Sequence, residues 1–279
     1  MTRKKLYSLL GLTVLGYAFL EPYWHKIKKY EIEHKQIPEN FDGFKIAFLA
    51  DIHFGRQVGS KKLEKMVKEV NRWGADVVIL GGDYIMHKRY IYPCFKELAK
   101  LKSKYGTYAV MGNHDVTESL ADTRRAMRIS DIKNINNAAF WIKHKGQKIR
   151  LGGVGDLRTQ NQHIEPTIKN TRFEDYIILV THNPRYLYQI KDKYDINLVL
   201  AGHTHGGQFS PLKHLSKIVP AFVDEAIAFS YLSGQCEKDG RDVIVSNGIG
   251  TAKFPLRIMT RPEMVYITLR PSKKRYKKR

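Results

Sequence analysis

The stretch "FKIAFLADIH", Phe44 to His53, is apolar from Ile46 to Ala50 and then stops at an aspartate and a histidine two residues apart. An apolar run without alternation is the mark of a strand covered on both faces. Beyond it, "SKKLEKMVKEVNRWG" (60–74) carries apolar residues at helical spacing up to a glycine stop, and "DVVIL" (76–80) is a second strand. "YPCFKELAKLKSKYG" (92–106) predicts another helix with a glycine stop, and "TYAVM" (107–111) a third strand. A β-α-β-α-β series builds a largely parallel sheet with helices stacked on it. The second half differs. "AFWIKHKGQKIRLGGVG" (139–155) predicts a hairpin, "YIILVTH" (176–182) and "NLVLAGH" (197–203) two more strands, and "DVIVSNG" (242–248) and "EMVYITL" (263–269) closing strands. The simplest architecture is one α/β domain with two sheets and outer helices.

The strand ends share a pattern. Asp51 and His53 follow the first strand, and Asp83 follows "VILGG". Asn113, His114 and Asp115 follow "AVMG", His182 follows "ILVT", and "AGHTHGGQF" (201–209) supplies His203 and His205. Alternation along an extended strand would put His203 and His205 on one side and Thr204 on the other. A lone H-x-H is first read as two core histidines or a polar turn. Five such blocks, each beyond the carboxyl end of a strand where α/β sheets place their ligands, point to a site. Seven nitrogen and oxygen donors (Asp51, His53, Asp83, Asn113, His182, His203 and His205) suit two divalent cations. Each histidine of the pair would serve a different ion, with Asp83 as the candidate bridge. Two close cations neutralise phosphoryl oxygens and bring a water toward ionisation near neutral pH, so the expected chemistry is phosphoester hydrolysis.

Charge and termini set the setting. The 279 residues carry a net charge of +21, which calls for anionic partners: nucleic acid, an anionic membrane surface or phosphorylated substrates. Seven of the last ten residues are Lys or Arg. Cys94 and Cys236 match no metal or redox spacing. At the start, "MTRKK" precedes fifteen uncharged residues, Leu6 to Leu20, followed by "EPYWHKIKKY". A helix of that length is roughly 22 Å long against a hydrocarbon core of roughly 30 Å, so Tyr23 and Trp24 would have to serve as interface anchors. An uncleaved membrane anchor or signal-anchor is the expectation; a cleaved secretory signal and a buried core helix are the rivals.

The series D-x-H, G-D, G-N-H-D, H, G-H-x-H, from Asp51 to His205, resembles the calcineurin-like metallophosphoesterases. That resemblance implies a four-layer α-β-β-α sandwich with two mixed sheets. One ion would take Asp51, His53, Asp83 and His205, and the other Asp83, Asn113, His182 and His203. His114 matches the position that protonates the leaving group or steadies the transition state, and Asp115 would orient its ring. Many members read G-D-x-x-D where this chain has "GGDYIMH", with His87 near the place of the second aspartate. The implied boundaries are an anchor over 1–24, a basic linker over 25–40, the metallophosphoesterase domain over 41–270 and a basic tail over 271–279.

"EPYW", "GGDY", "GHTHGGQ" and "FPLRIMTRPE" are similar to the membrane-associated bacterial branch that hydrolyses UDP-2,3-diacylglucosamine to lipid X and UMP in lipid A biosynthesis. An anchored, basic enzyme suits a phosphorylated glycolipid substrate. The resemblance implies the inner membrane, with the catalytic domain facing the cytoplasm. Family habit favours manganese, and iron, zinc or cobalt also suit these donors. Arg257 and Arg261 are candidate phosphate contacts. Pro211 to Leu232 is either a lid or membrane-docking segment or an ordinary helix closing the core. The rivals are a phosphodiesterase acting on nucleic acid, nucleotides or another membrane phospholipid, and a non-catalytic basic protein that binds lipid or nucleic acid around structural metals.

Overall fold

The computed structural model describes residues 2–208, 231–252 and 254–272. Strands β1 (Lys26–His34), β2 (Lys45–Leu49), β3 (Val77–Leu80), β4 (Thr107–Ala109) and β5 (Ile132–Asn134) belong to one sheet. Strands β6 (Ala138–His144), β7 (Gln147–Gly153), β8 (Ile177–Thr181), β9 (Leu198–Ala201), β10 (Gly234–Lys238) and β11 (Arg241–Val245) form the other. The last strand, β12 (Glu263–Pro271), returns to the first sheet and lies between β1 and β2. Both sheets are mixed. The first runs β1-β12-β2-β3-β4-β5, with β12 parallel to β1 but antiparallel to β2, and β2 to β5 parallel. The second runs β10-β11-β9-β8-β7-β6, parallel from β11 to β7 with antiparallel edges.

The alternation within each strand separates three apolar layers. From β2, Ala47 and Leu49 pack toward the helices, while Ile46, Phe48 and Ala50 face the second sheet. There they join Ile178, Val180, Leu198, Leu200 and Ile244. Helices α2 (Ser60–Trp73), α3 (Ile91–Leu98) and α4 (Asn113–Ile129) cover the outer face of the first sheet. Helix α2 buries Leu63, Met66, Val67 and Val70, one stripe at helical spacing, and ends at Gly74 in the left-handed conformation that a residue without Cβ adopts freely. The outer face of the second sheet is covered more thinly, by α5 (Glu165–Ile168) and a 3-10 turn over Pro184–Gln189 that supplies Tyr186 and Leu187.

The structure departs from the expectations in three places. The stretch 25–40, expected as a linker, contains β1, which pairs with β12 along its full length. Only Ile32 of its nine residues is buried, which is why its pattern resembles solvated chain. The helix expected over 92–106 ends at Leu98. Asn71 on α2 captures the chain there: its amide donates to the Lys100 carbonyl and its oxygen accepts the Lys102 N–H, which draws the backbone out of helical bonding. Finally, α1 (Arg3–Leu20) packs on the body only near its end, where Ala18 is buried. Among the described residues no helix is long and apolar enough to cross a membrane. The segment Pro211 to Leu232 lies outside the described residues apart from Tyr231 and Leu232, as does the tail beyond Ser272.

Candidate metal centre

Every strand-end block arrives at one place, by a route other than strand alternation. Strand β2 stops at Leu49 and β9 at Ala201, so the blocks lie in the loops beyond. Asp51, His53, Asp83, His203 and His205 all have positive φ, between 45° and 70°. Left-handed backbone is costly for residues with a Cβ and persists where the surroundings enforce it. Each such residue turns the chain back on itself, and these turns aim the side chains inward. The enforcing contacts are backbone bonds between loops: Asp51 N–H to the Gly82 carbonyl (2.9 Å), His53 N–H to Asp83 (3.0 Å), and Gly202 N–H to His182 (3.0 Å). Gly112 is required by close approach, because a Cβ there would lie 2.2 Å from Asp83 Oδ1 and 2.7 Å from the Asp83 nitrogen.

The side chains form interlocking clusters with metal-ligand spacing: Asp51, His53 and His205; His53, Asp83 and His114; and Asp83, His182 and His203. His53 Nε2 is 3.1 Å from His205 Nε2, and His203 Nδ1 is 3.1 Å from His182 Nε2. The His203 and His205 pair thus divides between two clusters. Asp83 stands between them, its Oδ2 3.6 Å from His53 Nε2 and 3.3 Å from His182 Nε2. Its Oδ1 accepts the His114 backbone N–H at 2.9 Å. Asp51 accepts the His203 N–H on both oxygens (3.0 and 2.9 Å) and lies 3.8 Å from His205 Nε2.

This donor set fits divalent cations. His182 Nδ1 is 2.8 Å from the Gly81 carbonyl, which can only accept, so Nδ1 carries a proton and Nε2 is the nitrogen turned toward Asp83, the one a cation would meet. Asn113 Oδ1 is buried without a hydrogen-bond partner, a position that costs free energy unless something electropositive meets it. Burial lowers His53 to a pKa of about 4 and His203 to about 3, and holds His205 well below the usual imidazole range, so all three present neutral lone pairs. Burial also raises Asp51 to about 7. Asp83 and His182 move oppositely: burial opposes both charges, but their mutual attraction outweighs it, lowering the carboxylate and raising the imidazole. The clusters constitute a dinuclear divalent-metal site.

Two expected roles change, and a third residue is placed at the base of α1. Asp115 does not reach the His114 ring: its carboxylate accepts backbone N–H groups of Asp83 (2.7 Å), Tyr84 (2.8 Å) and Gly112 (2.9 Å), tying the β3 and β4 loops together. Arg257 is no phosphate contact. It is completely buried, donating to the carbonyls of His205 (3.2 Å), Thr260 (2.6 Å), Asn247 (2.7 Å), Gly248 and Gly250, with Nη2 3.3 Å from His205 Nδ1. Arg261 is exposed, and its Nε donates to the Trp24 carbonyl at 2.9 Å, at the base of α1.

The motif reading also missed two neighbours. Asp156, beyond β7, is buried with an unpartnered Oδ1, and its charge helps raise His182. Arg158, exposed two residues on, contributes to lowering His203. The signal was present in "IRLGGVGD", another apolar strand ending in a carboxylate.

Comparison with known proteins agrees with this geometry. The family model described as calcineurin-like phosphoesterase matches residues 44–207. A transmembrane protein with metallophosphoesterase domain from Danio rerio is 30% identical over 258 residues, covering 88% of this chain; the chain spans 57% of that protein's length. An uncharacterized metallophosphoesterase of Helicobacter pylori strain J99 is 30% identical over 275 residues, covering 93% of this chain and 69% of its own. Among solved structures, TT1561 of Thermus thermophilus aligns with a TM-score of 0.46 at 15% identity, covering 74% of this chain and 89% of that one. The chain belongs to the calcineurin-like phosphoesterase family and is a metal-dependent phosphoester hydrolase.

Proposed function

We propose that the chain is a dinuclear phosphodiesterase acting on a phosphorylated amphiphile at a membrane, and that its substrate is UDP-2,3-diacylglucosamine, cleaved to lipid X and UMP. The observation that carries the reading is Asp83 Oδ2, placed between His53 and His182 so that one carboxylate serves both clusters. Asp51, His53, Asp83 and His205 would hold one cation, and Asp83, Asn113, His182 and His203 the other. When bound, two such ions supply charge that stabilises phosphoryl oxygens and a water of lowered pKa; manganese is the ion to test first. His114 is half-buried, with its ring edge-on to His53 and centroids 4.9 Å apart. From there it delivers a proton to the leaving-group oxygen as the phosphoester bond breaks. Exposed Arg158 is the candidate phosphate contact in place of Arg257.

The membrane setting is supported by α1, whose residues Leu6, Leu9, Leu10, Leu12, Val14 and Leu15 are all exposed. A helix apolar all round belongs in an apolar environment. The basic charge of the chain favours anionic lipid. The catalytic domain is assigned to the cytoplasmic face of the inner membrane, where nucleotide-linked substrates are made.

The test is hydrolysis of UDP-2,3-diacylglucosamine by detergent-solubilised protein in manganese, with a soluble aryl phosphodiester in parallel. UMP release by wild type, falling roughly 10²- to 10⁴-fold in His114→Ala, is the expected result. Turnover of the aryl diester alone would remove the lipid substrate and leave the dinuclear phosphodiesterase; turnover of neither would remove both.

A further inference from the structure

The base of α1 is bonded to the loop that buttresses the metal centre. Arg257 N–H donates to the Ala18 carbonyl at 3.0 Å, and Met259 N–H to Glu21 Oε2 at 2.7 Å. The same loop is fastened to the metal-site loops from its other side. The Phe254 carbonyl accepts from Gln208 at 2.8 Å, the Pro255 carbonyl from Gln57 at 2.8 Å, and Ile258 N–H donates to the Gln208 carbonyl at 2.9 Å. One short segment therefore connects the apolar helix to His205 and to the residues just past His53.

That segment exposes apolar side chains. Phe254 is 62% and Met259 71% exposed, and at the foot of α1 Tyr23 is 54% and Trp24 47% exposed. Met259 is held at φ 57°, a conformation that disfavours a large side chain, and its backbone N–H is clamped by the buried carboxylate of Glu21. Exposed cations lie on the adjoining chain: Lys28 and Lys29 on β1 a few residues past Trp24, Arg56 next to Gln57, which bonds the Pro255 carbonyl, and Arg261, two residues past Met259 and bonded to the Trp24 carbonyl. Exposed aromatic and apolar side chains on a segment joined to exposed Lys and Arg match the interface of an anionic bilayer.

We propose that the loop Phe254–Met259 is a second membrane-contacting element, which together with the base of α1 seats the mouth of the metal centre on an anionic bilayer. This rests on the membrane reading of α1 given above. The helix sets the distance to the membrane, and the loop fixes the angle at which the centre faces it.

The test uses the full chain loaded with manganese and vesicles of phosphatidylglycerol and phosphatidylcholine, with phosphatidylcholine alone as the comparison. Wild type should co-sediment with the anionic vesicles. The double variant Phe254→Ser/Met259→Ser should partition roughly 10²-fold less or weaker still, as expected for losing two buried apolar side chains, while its turnover of a soluble aryl phosphodiester stays within about 2-fold. Independently, Phe254→Trp in a Trp24→Phe/Trp73→Phe/Trp141→Phe background should be quenched by lipids brominated on the acyl chain. Failure of wild type to bind either vesicle would overturn both the membrane reading and this proposal. Binding by wild type that the double variant matches, with no quenching at position 254, would overturn the loop contact alone and leave α1 as the sole attachment.

Discussion

The two sheets contribute unlike things to the centre. The first sheet, backed by α2, α3 and α4, brings both carboxylates of the clusters, Asp51 and Asp83, together with His53, Asn113 and His114. The second, covered on its outer face by short turns, brings three imidazoles: His182, His203 and His205. The negative charge belongs to one half and most of the neutral lone pairs to the other. Neither half is a site alone. The halves also correct each other's geometry, since His182 is oriented by the Gly81 carbonyl of the first sheet and Asp51 by the His203 N–H of the second. The centre is an interface within the domain, and its integrity reports on sheet docking.

Asp83→Ala tests this division most severely. Removing the carboxylate shared by both clusters should empty the centre and lower phosphodiester turnover by more than ~10³-fold. Elemental analysis beside activity decides it, and a variant that keeps two ions and full turnover would refute the bridge. His205→Ala, on the imidazole side, should remove one ion of the two and leave the Asp83–His182–His203 cluster loaded, a difference the same analysis resolves. Arg257→Met strips the buried carbonyls of His205, Asn247 and Thr260 of their donor. The expected cost of ~2–5 kcal/mol corresponds to a loss of about 5–15 °C in Tm, measured by thermal unfolding.

The smallest effect concerns pH in metal-free protein. Burial raises Asp51 to about 7 and Asp115 to about 8, and the folded state retains their protons. Stability from a raised carboxyl group is full below its unfolded pKa and is lost as pH rises through the folded value. His182, also raised, has the same sign. His53 and His203, lowered to about 4 and about 3, act oppositely, losing their contribution as pH falls from the ordinary histidine value through those pKa values. Metal-free protein should therefore be most stable near pH 6.5 and lose several degrees of Tm by about pH 8. Saturation with manganese should flatten that decline, because bound cations replace the protons. A metal-free profile that rises steadily to pH 8 would contradict the burial of these carboxyl groups.

Strands β2, β3, β4, β8 and β9 were legible because each is buried on both faces and therefore continuous in apolar residues. The donors were legible because each follows directly on such a run. Their convergence was legible from their shared place beyond strand ends, but the route to it was not, since it depends on left-handed backbone at Asp51, His53, Asp83, His203 and His205, which residue type does not announce. Strand β1 was hidden by its position at the sheet edge, where Lys28, Lys29, Glu31 and Glu33 are solvated on the way to the single buried Ile32. Arg257 was misjudged for a related reason. A cation near a phosphate site suggests a ligand contact, and only the folded backbone reveals five carbonyls already surrounding it.

The place of β12 between β1 and β2 constrains how the molecule comes into being. Lys26 finds its partner only at Glu263, near the far end of the chain. At a synthesis rate of about 5–20 residues per second, the first strand waits roughly 10–50 s for the last. Throughout that interval α1 and β1 have emerged while the strand that tethers them to the body has not been made. The apolar helix therefore meets its surroundings before there is a catalytic domain to position, and the closing strand draws the finished domain to wherever that helix has already settled.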